Sequence, residues 1–252
     1  MFKKKNVQLQ DILIYGKHSV VAALSNPKRK CKTIYVTEYI WRELSEKFSD
    51  LNLKVCFREK RHLDDMLPMG SNHQNVVLEA APLKPNAIED ILEITEQKET
   101  SCLVILDQVT DPHNIGAIMR SAAAFAADAI ILPDNNCPKE NNTIIKCAAG
   151  ATETLPMVQV TNLANCIKLL KKAGYWIIGL DGQGDSVLKS SIFSEKVAII
   201  LGSEDTGMRK LTRENCDYLV KIAISSDLES LNVSNAATIA LYEFSRFANN
   251  RS

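Results

Sequence analysis

The sequence predicts an α/β protein built on a mainly parallel sheet with helices on both faces, and three observations lead there. Short apolar runs of strand length recur along the chain, among them Ser101 to Leu106, Ile130 to Leu132 and Val197 to Leu201, with helix-period segments between them. That alternation is the pattern of buried parallel strands linked by crossover helices. Glycines and polar residues gather just after those runs, where open α/β sheets hold their ligands. With 46% hydrophobic and 24% charged residues, the composition is that of an ordinary globular chain, which sets aside disordered and collagen-like classes.

A membrane span needs roughly 20 consecutive apolar residues, and the sequence has no such run. The N-terminal MFKKKNVQLQ shows no apolar stretch after its lysines and does not read as a secretory signal, so a cytoplasmic location is expected. Seven scattered cysteines, none spaced C-x-x-C, suit a reducing compartment. They argue against a disulfide framework and a zinc site, and no metal is expected. Most are expected to be buried as small hydrophobes.

The net charge of zero does not mark a nucleic-acid partner, but the charge is unevenly spread. Residues 1–80 carry 14 Lys and Arg against 9 Asp and Glu. The basic residues cluster at Lys3-Lys4-Lys5, at Lys28-Arg29-Lys30 with Lys32, and at Arg58, Lys60 and Arg61. Such clusters suit a phosphate-binding surface, although on charge alone they read rather as solvated loops.

In chain order, a short entry strand or turn precedes a helix from Lys17 to Leu24, which Asn26-Pro27 stops. Strands follow at Thr33 to Val36, Val55 to Phe57 and Val76 to Ala81, with helices at Tyr39 to Phe48 and His62 to Leu67 between them. The two prolines Pro82 and Pro85 mark a linker, after which Ile88 to Thr95 has helical spacing with Asn86 available as its cap. The second unit opens at the apolar run Ser101 to Leu106. It continues through a helix from Asn114 to Ala126, a strand at Ala129 to Leu132, a helix near Thr143 to Ala149 and a short strand at Met157-Val158. A helix from Leu163 to Ala173, strands at Tyr175 to Leu180, Val197 to Leu201 and Tyr218 to Ile222, and a final helix from Asn232 to Phe247 complete it.

Three segments carry chemistry. In LDQVTDPHNIGAIMRSAAAF a buried strand ends at Asp107, and Asn114, Gly116 and Arg120 follow on an alanine-rich helix that must pack closely. Alone, Asn114 reads as a cap and Arg120 as a surface residue with a snorkelling stem. VAIILGSEDTGMRKL places Gly202, Glu204 and Gly207 after a strand, where glycine lets a ligand approach the backbone, although an acidic turn explains the same residues. Neither G-x-G-x-x-G nor a P-loop occurs, which disfavours dinucleotide and NTP sites. In the last segment Ser230-Leu231-Asn232-Val233-Ser234 leads into the final helix, and Ser230 or Asn232 can cap it. Capping alone does not account for Asn, Arg, Glu, Ser and Asn meeting at one sheet edge among glycines.

The ordered set N-x-G-x-x-x-R, strand-G-x-E-x-x-G and S-L-N-V-S closely resembles the three motifs of SpoU/TrmH RNA ribose methyltransferases, over nearly the whole of residues 12–247. DPHNIGAIMRSA, ATETLP, GMRKLTRENCD and IYGKHSV resemble the branch acting on a guanosine of 23S ribosomal RNA. The resemblance implies a SPOUT fold, whose mainly parallel sheet ends in a trefoil knot, preceded by a small L30e-like α/β RNA-binding domain. The expected boundaries are 11–82 for that domain, 83–98 for a linker and 99–249 for the knotted methyltransferase domain. It further implies S-adenosyl-L-methionine as methyl donor, bound by Leu180, Asp181, Gly182, Gly202, Ile222 and Leu231. Arg120, Asn114, Glu204, Ser230 and Asn232 are implied as the catalytic set, in a homodimer whose first motif reaches across the interface.

Two departures stand out. Ile222-Ala223-Ile224-Ser225-Ser226 replaces the branch's I-P-M-x-G, which should loosen that loop, and Asn75 stands where glycine is usual after His73-Gln74. A guanidinium keeps its proton in proteins, so Arg120 is expected to stabilise alkoxide charge and not to act as a simple base. A transfer-RNA methyltransferase and a non-catalytic rRNA-binding assembly factor are the alternatives.

Overall fold

The computed structural model describes residues 11–48, 51–135 and 137–250. Its elements, in order, are β1 (Ile12–Tyr15), α1 (Lys17–Ser25), β2 (Cys31–Val36), α2 (Glu38–Phe48), β3 (Lys54–Phe57), α3 (Lys60–Asp65), β4 (Val76–Ala80) and α4 (Ile88–Thr95). Then come β5 (Ser101–Leu106), α5 (Pro112–Ala124), β6 (Ala129–Pro133), α6 (Asn142–Ala148), β7 (Met157–Val160), α7 (Leu163–Lys172) and β8 (Trp176–Leu180). The last are β9 (Ser186–Val187), β10 (Lys196–Leu201), α8 (Lys210–Glu214), β11 (Tyr218–Lys221) and α9 (Val233–Asn249). β9 and α8 have no expectation in the sequence, because a two-residue strand and a five-residue helix leave too short a period to read.

The described residues up to Lys84 form one compact unit together with Glu140–Glu153. Its four-stranded sheet has the order β1-β4-β2-β3, with β4 antiparallel to both neighbours and β3 parallel to β2. Ile40, Leu44 and Phe48 recur at four-residue spacing on α2 and bury against Ile34, Val36 and Leu78. Ile145 of α6 joins the same core.

The expectation that the helix near Thr143 belongs with the second sheet is therefore corrected. Its tether is Arg29, whose side chain is fully buried between Glu140 at 2.6 Å and Glu153 at 2.5 Å. Arg29 also donates to the Ala81 carbonyl at 3.1 Å. Burial alone would lower the Arg29 pKa; hydrogen bonds to the two carboxylates more than reverse that, and the guanidinium ends above its ordinary value. This also corrects the reading of Arg29 as part of a phosphate-binding cluster. Lys32 pairs with Asp11, while Lys28, Lys30, Arg58, Lys60 and Arg61 are exposed. Lys3-Lys4-Lys5 lie outside the described residues.

The second unit holds a seven-stranded sheet in the order β7-β6-β5-β10-β8-β11-β9, every pair parallel. β5 lies third and is buried along its whole length, which is why it reads as an unbroken apolar run. α5 and α9 pack together, with Ser121 and Thr238 hydroxyls 2.7 Å apart, and Ala122, Ala237 and Ala240 are buried on these helices. Small side chains are what allow that close approach.

The stretch 83–98 is more than a connection, since Ile88 and Ile91 of α4 lie in the second core. Thr95 accepts a hydrogen bond from Tyr175 Oη at 2.7 Å, and Tyr175 meets Ser101 Oγ at 2.7 Å. Two cap expectations change. Asn86 does not cap α4; its backbone N–H instead donates to the Met157 carbonyl at 2.9 Å, bridging to the β7 edge. α5 opens at Pro112 behind Asp111, whose carboxylate accepts from the His113 N–H at 2.9 Å, so Asn114 is freed from capping.

Candidate active site

The loops that follow β8, β10 and β11 emerge at the same end of the parallel sheet, because parallel strands deliver all their C-terminal ends to one edge. Between them lies a cavity of about 940 Å³. Leu180, Asp181 and Gly182 line it from the first loop, Gly202 from the second, and Ile222 and Leu231 from the third, so all six residues expected to hold the donor share one cavity. Its walls mix apolar residues, such as Leu201, Ile222 and Val233, with polar ones, such as Asp181, Ser203 and Ser225. That lining, and a volume within the usual range of cofactor pockets, fit a mid-sized polar cofactor with one apolar face. At Gly182 no atom stands within 4 Å of where a Cβ would be, so the cavity reaches its backbone.

The second loop is folded tightly on itself. Ser203 and Gly207 exchange backbone hydrogen bonds at 3.2 and 3.0 Å, and Gly207 has a φ of 66°. A Cβ on Gly202 would come within 2.2 Å of the Gly207 carbonyl carbon, so only glycine fits where strand and returning loop cross.

At the cavity rim, Glu204 gathers the motif residues. Its Oε1 accepts from Asn114 Nδ2 at 3.1 Å, from Asn232 Nδ2 at 2.7 Å and from the Val233 backbone N–H at 3.2 Å. Asn232 Nδ2 also donates to Asn114 Oδ1 at 3.1 Å. Meanwhile Asn232 Oδ1 caps α9 through the Ser234 N–H at 2.9 Å, so capping and cluster membership coexist in one side chain. A carboxylate over the first N–H groups of α9 is also favoured by the helix dipole. The first turn of α5, the loop after β10 and the N-terminus of α9, far apart in sequence, are thereby locked into one polar cluster of side chains.

Ser230 lines the cavity but makes no hydrogen bond with this cluster. Arg120 is not brought in. It is exposed on α5, six residues beyond Asn114 and thus about 9 Å further along the helix axis, and is not among the lining residues.

Sequence reasoning passed over Asp107, Gln108 and Arg209, which tie the loop after β5 to the loop after β10. The signal available was an acidic residue ending a wholly apolar strand. In the third loop the Ser225 and Ser226 departure leaves an ordered turn, with the Leu228 N–H donating to the Ser225 carbonyl at 3.2 Å. The cysteines divide differently from expectation. Cys102 and Cys166 are buried, whereas the other five are half-buried. Burial pushes the thiol of Cys216, near Asp181, up to about 12, so it stays protonated near neutral pH.

Comparison with known proteins places this architecture. The SpoU rRNA Methylase family matches residues 101–242, and the family described as RNA 2'-O ribose methyltransferase substrate binding matches residues 13–86. The 23S rRNA (guanosine-2'-O-)-methyltransferase RlmB of Neisseria meningitidis is 40% identical over 238 residues, covering 92% of this chain and 94% of the relative. The protein of the same name from Photorhabdus laumondii is 35% identical over 237 residues, covering 92% and 96%. In fold, the crystal structure of the SpoU methyltransferase AviRb from Streptomyces viridochromogenes is similar with a TM-score of 0.78 at 23% identity, covering 96% of this chain and 91% of that one. With motif order, sheet topology and whole-length similarity in agreement, the chain belongs to the SpoU rRNA methylase family.

Proposed function

We propose that this protein transfers a methyl group from S-adenosyl-L-methionine to the ribose 2′-hydroxyl of a guanosine in 23S ribosomal RNA. The observation that carries the reading is the convergence of three strand-end loops on one cavity, with the Asn114–Glu204–Asn232 cluster at its rim. The curated relatives of 34 to 40% identity and near-complete coverage support the choice of substrate. When bound, the donor supplies a methyl group already activated by its sulfonium. The chain's own work is then to align a hydroxyl for in-line attack and to manage its proton.

Leu180, Asp181, Gly182, Gly202, Ile222 and Leu231 hold the donor in this reading. Asn114, Glu204 and Asn232 keep the loops in register, and Ser230 faces the incoming ribose. Arg120 stabilises the developing alkoxide, with a phosphate or water taking the proton. Because Arg120 does not reach the cavity of its own chain, we assign it to the cavity of a second copy in a homodimer. Threading of the C-terminal segment of the sheet into a trefoil knot belongs to the same reading, as does work in the cytoplasm. Among the described residues no helix is long and apolar enough to cross a membrane.

RNA positioning falls to residues 11–82 with the segment 140–153, through the exposed Lys28, Lys30, Arg58, Lys60 and Arg61, and methyl transfer to the rest of 99–249, that is 99–139 and 154–249. Incubating the chain with labelled S-adenosylmethionine and separate 23S rRNA and tRNA transcripts, then mapping the modified ribose, tests the proposal. A labelled guanosine 2′-O-methyl in rRNA is the expected result. Label in tRNA alone would move the substrate, and no label in either would favour a binding factor. Arg120→Ala should cut methyl transfer about a hundredfold or more, as loss of a charge-stabilising group does, with donor affinity unchanged.

A further inference from the structure

We infer that Asp107 is a positioning residue for the cavity, fixing through Arg209 the loop that follows β10; the inference rests on that cavity being the methyl-donor site. Asp107 directly follows β5, and its side chain is 0% exposed. A buried carboxylate must be paired to be tolerated, and this one is spent wholly on the neighbouring loop. Its Oδ2 accepts from the Arg209 backbone N–H at 2.9 Å and its Oδ1 from Arg209 Nε at 2.7 Å. The two contacts together set both the backbone position and the side-chain direction of Arg209.

Gln108 adds a second grip. It sits at a φ of 65°, a conformation that costs a non-glycine residue energy and persists where surrounding contacts demand it. From there Nε2 donates to Thr206 Oγ1 at 3.2 Å and to the Gly207 carbonyl at 3.1 Å. At the other end of the loop, the Asp107 N–H donates to the Leu201 carbonyl at 2.8 Å. Residues 203–208, which line the cavity and include Glu204, are thus clamped before and after by two consecutive residues of another loop. Neither Asp107 nor Gln108 lines the cavity itself, so any effect on the donor passes through the loop.

The test compares wild type, Asp107→Asn and Gln108→Ala by calorimetric titration with S-adenosylmethionine and by steady-state kinetics with both substrates. Asp107→Asn keeps an acceptor for the backbone N–H but loses the charged contact to Nε. The donor Kd and donor KM should rise about tenfold, the scale of one charge-assisted hydrogen bond, with the KM for RNA unchanged. A residue that merely stabilised the fold would lower the active fraction and move neither KM. Gln108→Ala, at a partly exposed site less able to unfold the chain, should raise the donor KM about threefold, as loss of a neutral hydrogen bond would. Donor Kd and KM within twofold of wild type in both variants would overturn the inference. A wild type that takes up no donor would instead overturn the reading of the cavity, and with it the role assigned to Asp107.

Discussion

Gln74 and Asn75 stand side by side with φ of 52° and 63°, two successive left-handed residues with no glycine between them. The turn is held from every side. The Asn75 N–H donates to His73 Nδ1 at 3.0 Å, the buried His73 ring gives its other nitrogen to Asp64 at 2.9 Å, and Gln74 Oε1 accepts the Lys17 N–H at 2.9 Å. Asparagine at position 75 therefore keeps the turn, since Asn tolerates this region better than other side chains. Asn75→Val should destabilise the chain by about 1–2 kcal/mol, while Asn75→Gly should leave the thermal midpoint close to wild type; differential scanning calorimetry reads both. Glu204 is the corresponding residue in the second unit. Glu204→Ala removes an acceptor shared by three donors, so urea unfolding should show a loss of about 1–2 kcal/mol. Methyl transfer should fall well beyond what that loss of stability explains.

Among the elements, α6 is the instructive one. Its sequence lies between strands of the second sheet, yet Ile145 joins the first unit's core, and the flanking Glu140 and Glu153 belong to the same unit. The Arg29 bridge requires that commitment, because Glu140 and Glu153 are 5% and 2% exposed and would be stranded without their cation. Arg29→Ala should therefore cost about 3–5 kcal/mol, the penalty for leaving buried charges unpaired. Arg29→Lys should recover only part of it, since an ammonium cannot match the fork that serves two carboxylates. Thermal unfolding of the two variants checks the order wild type, Lys, Ala. A truncated chain ending at Lys84 would lack both carboxylates and expose Arg29, which argues against treating residues 11–82 as a self-sufficient domain.

For the whole molecule, the distance of Arg120 from its own cavity has a consequence for assembly. If each active site combines one copy's cavity with the other copy's Arg120, Arg120→Ala and Gly202→Val are defects in different halves of a site. Each variant alone should be strongly impaired, the second because a side chain cannot enter where a Cβ already meets Gly207 at 2.2 Å. Co-refolded mixtures should regain activity through heterodimers carrying one intact site, whereas sites built within one chain would regain none. RNA affinity is the second property at this scale. With exposed basic residues at Lys28, Lys30, Arg58, Lys60 and Arg61 supplying phosphate contacts, log affinity should fall with log salt by slightly less than one unit per contact. Substituting Arg58 and Lys60 together should flatten that slope.

Much of the architecture was legible in the sequence because local chemistry determines it. β5, β10 and the apolar face of α2 follow from period and burial alone, and the motif residues Asn114, Gly202, Glu204 and Asn232 were visible as a set in their order. Those are properties of neighbours along the chain. What the tertiary structure decided are matters of long-range pairing. It brought Asn114, Glu204 and Asn232 to a single carboxylate oxygen, moved α6 into the first unit through Arg29, kept Arg120 out of its own cavity, and gave Asp107 its partner in Arg209. No spacing rule reveals these, because a hydrogen bond between residues about a hundred positions apart depends on which strands the sheet sets side by side. That order is fixed by burial of the whole core, not by any segment of it.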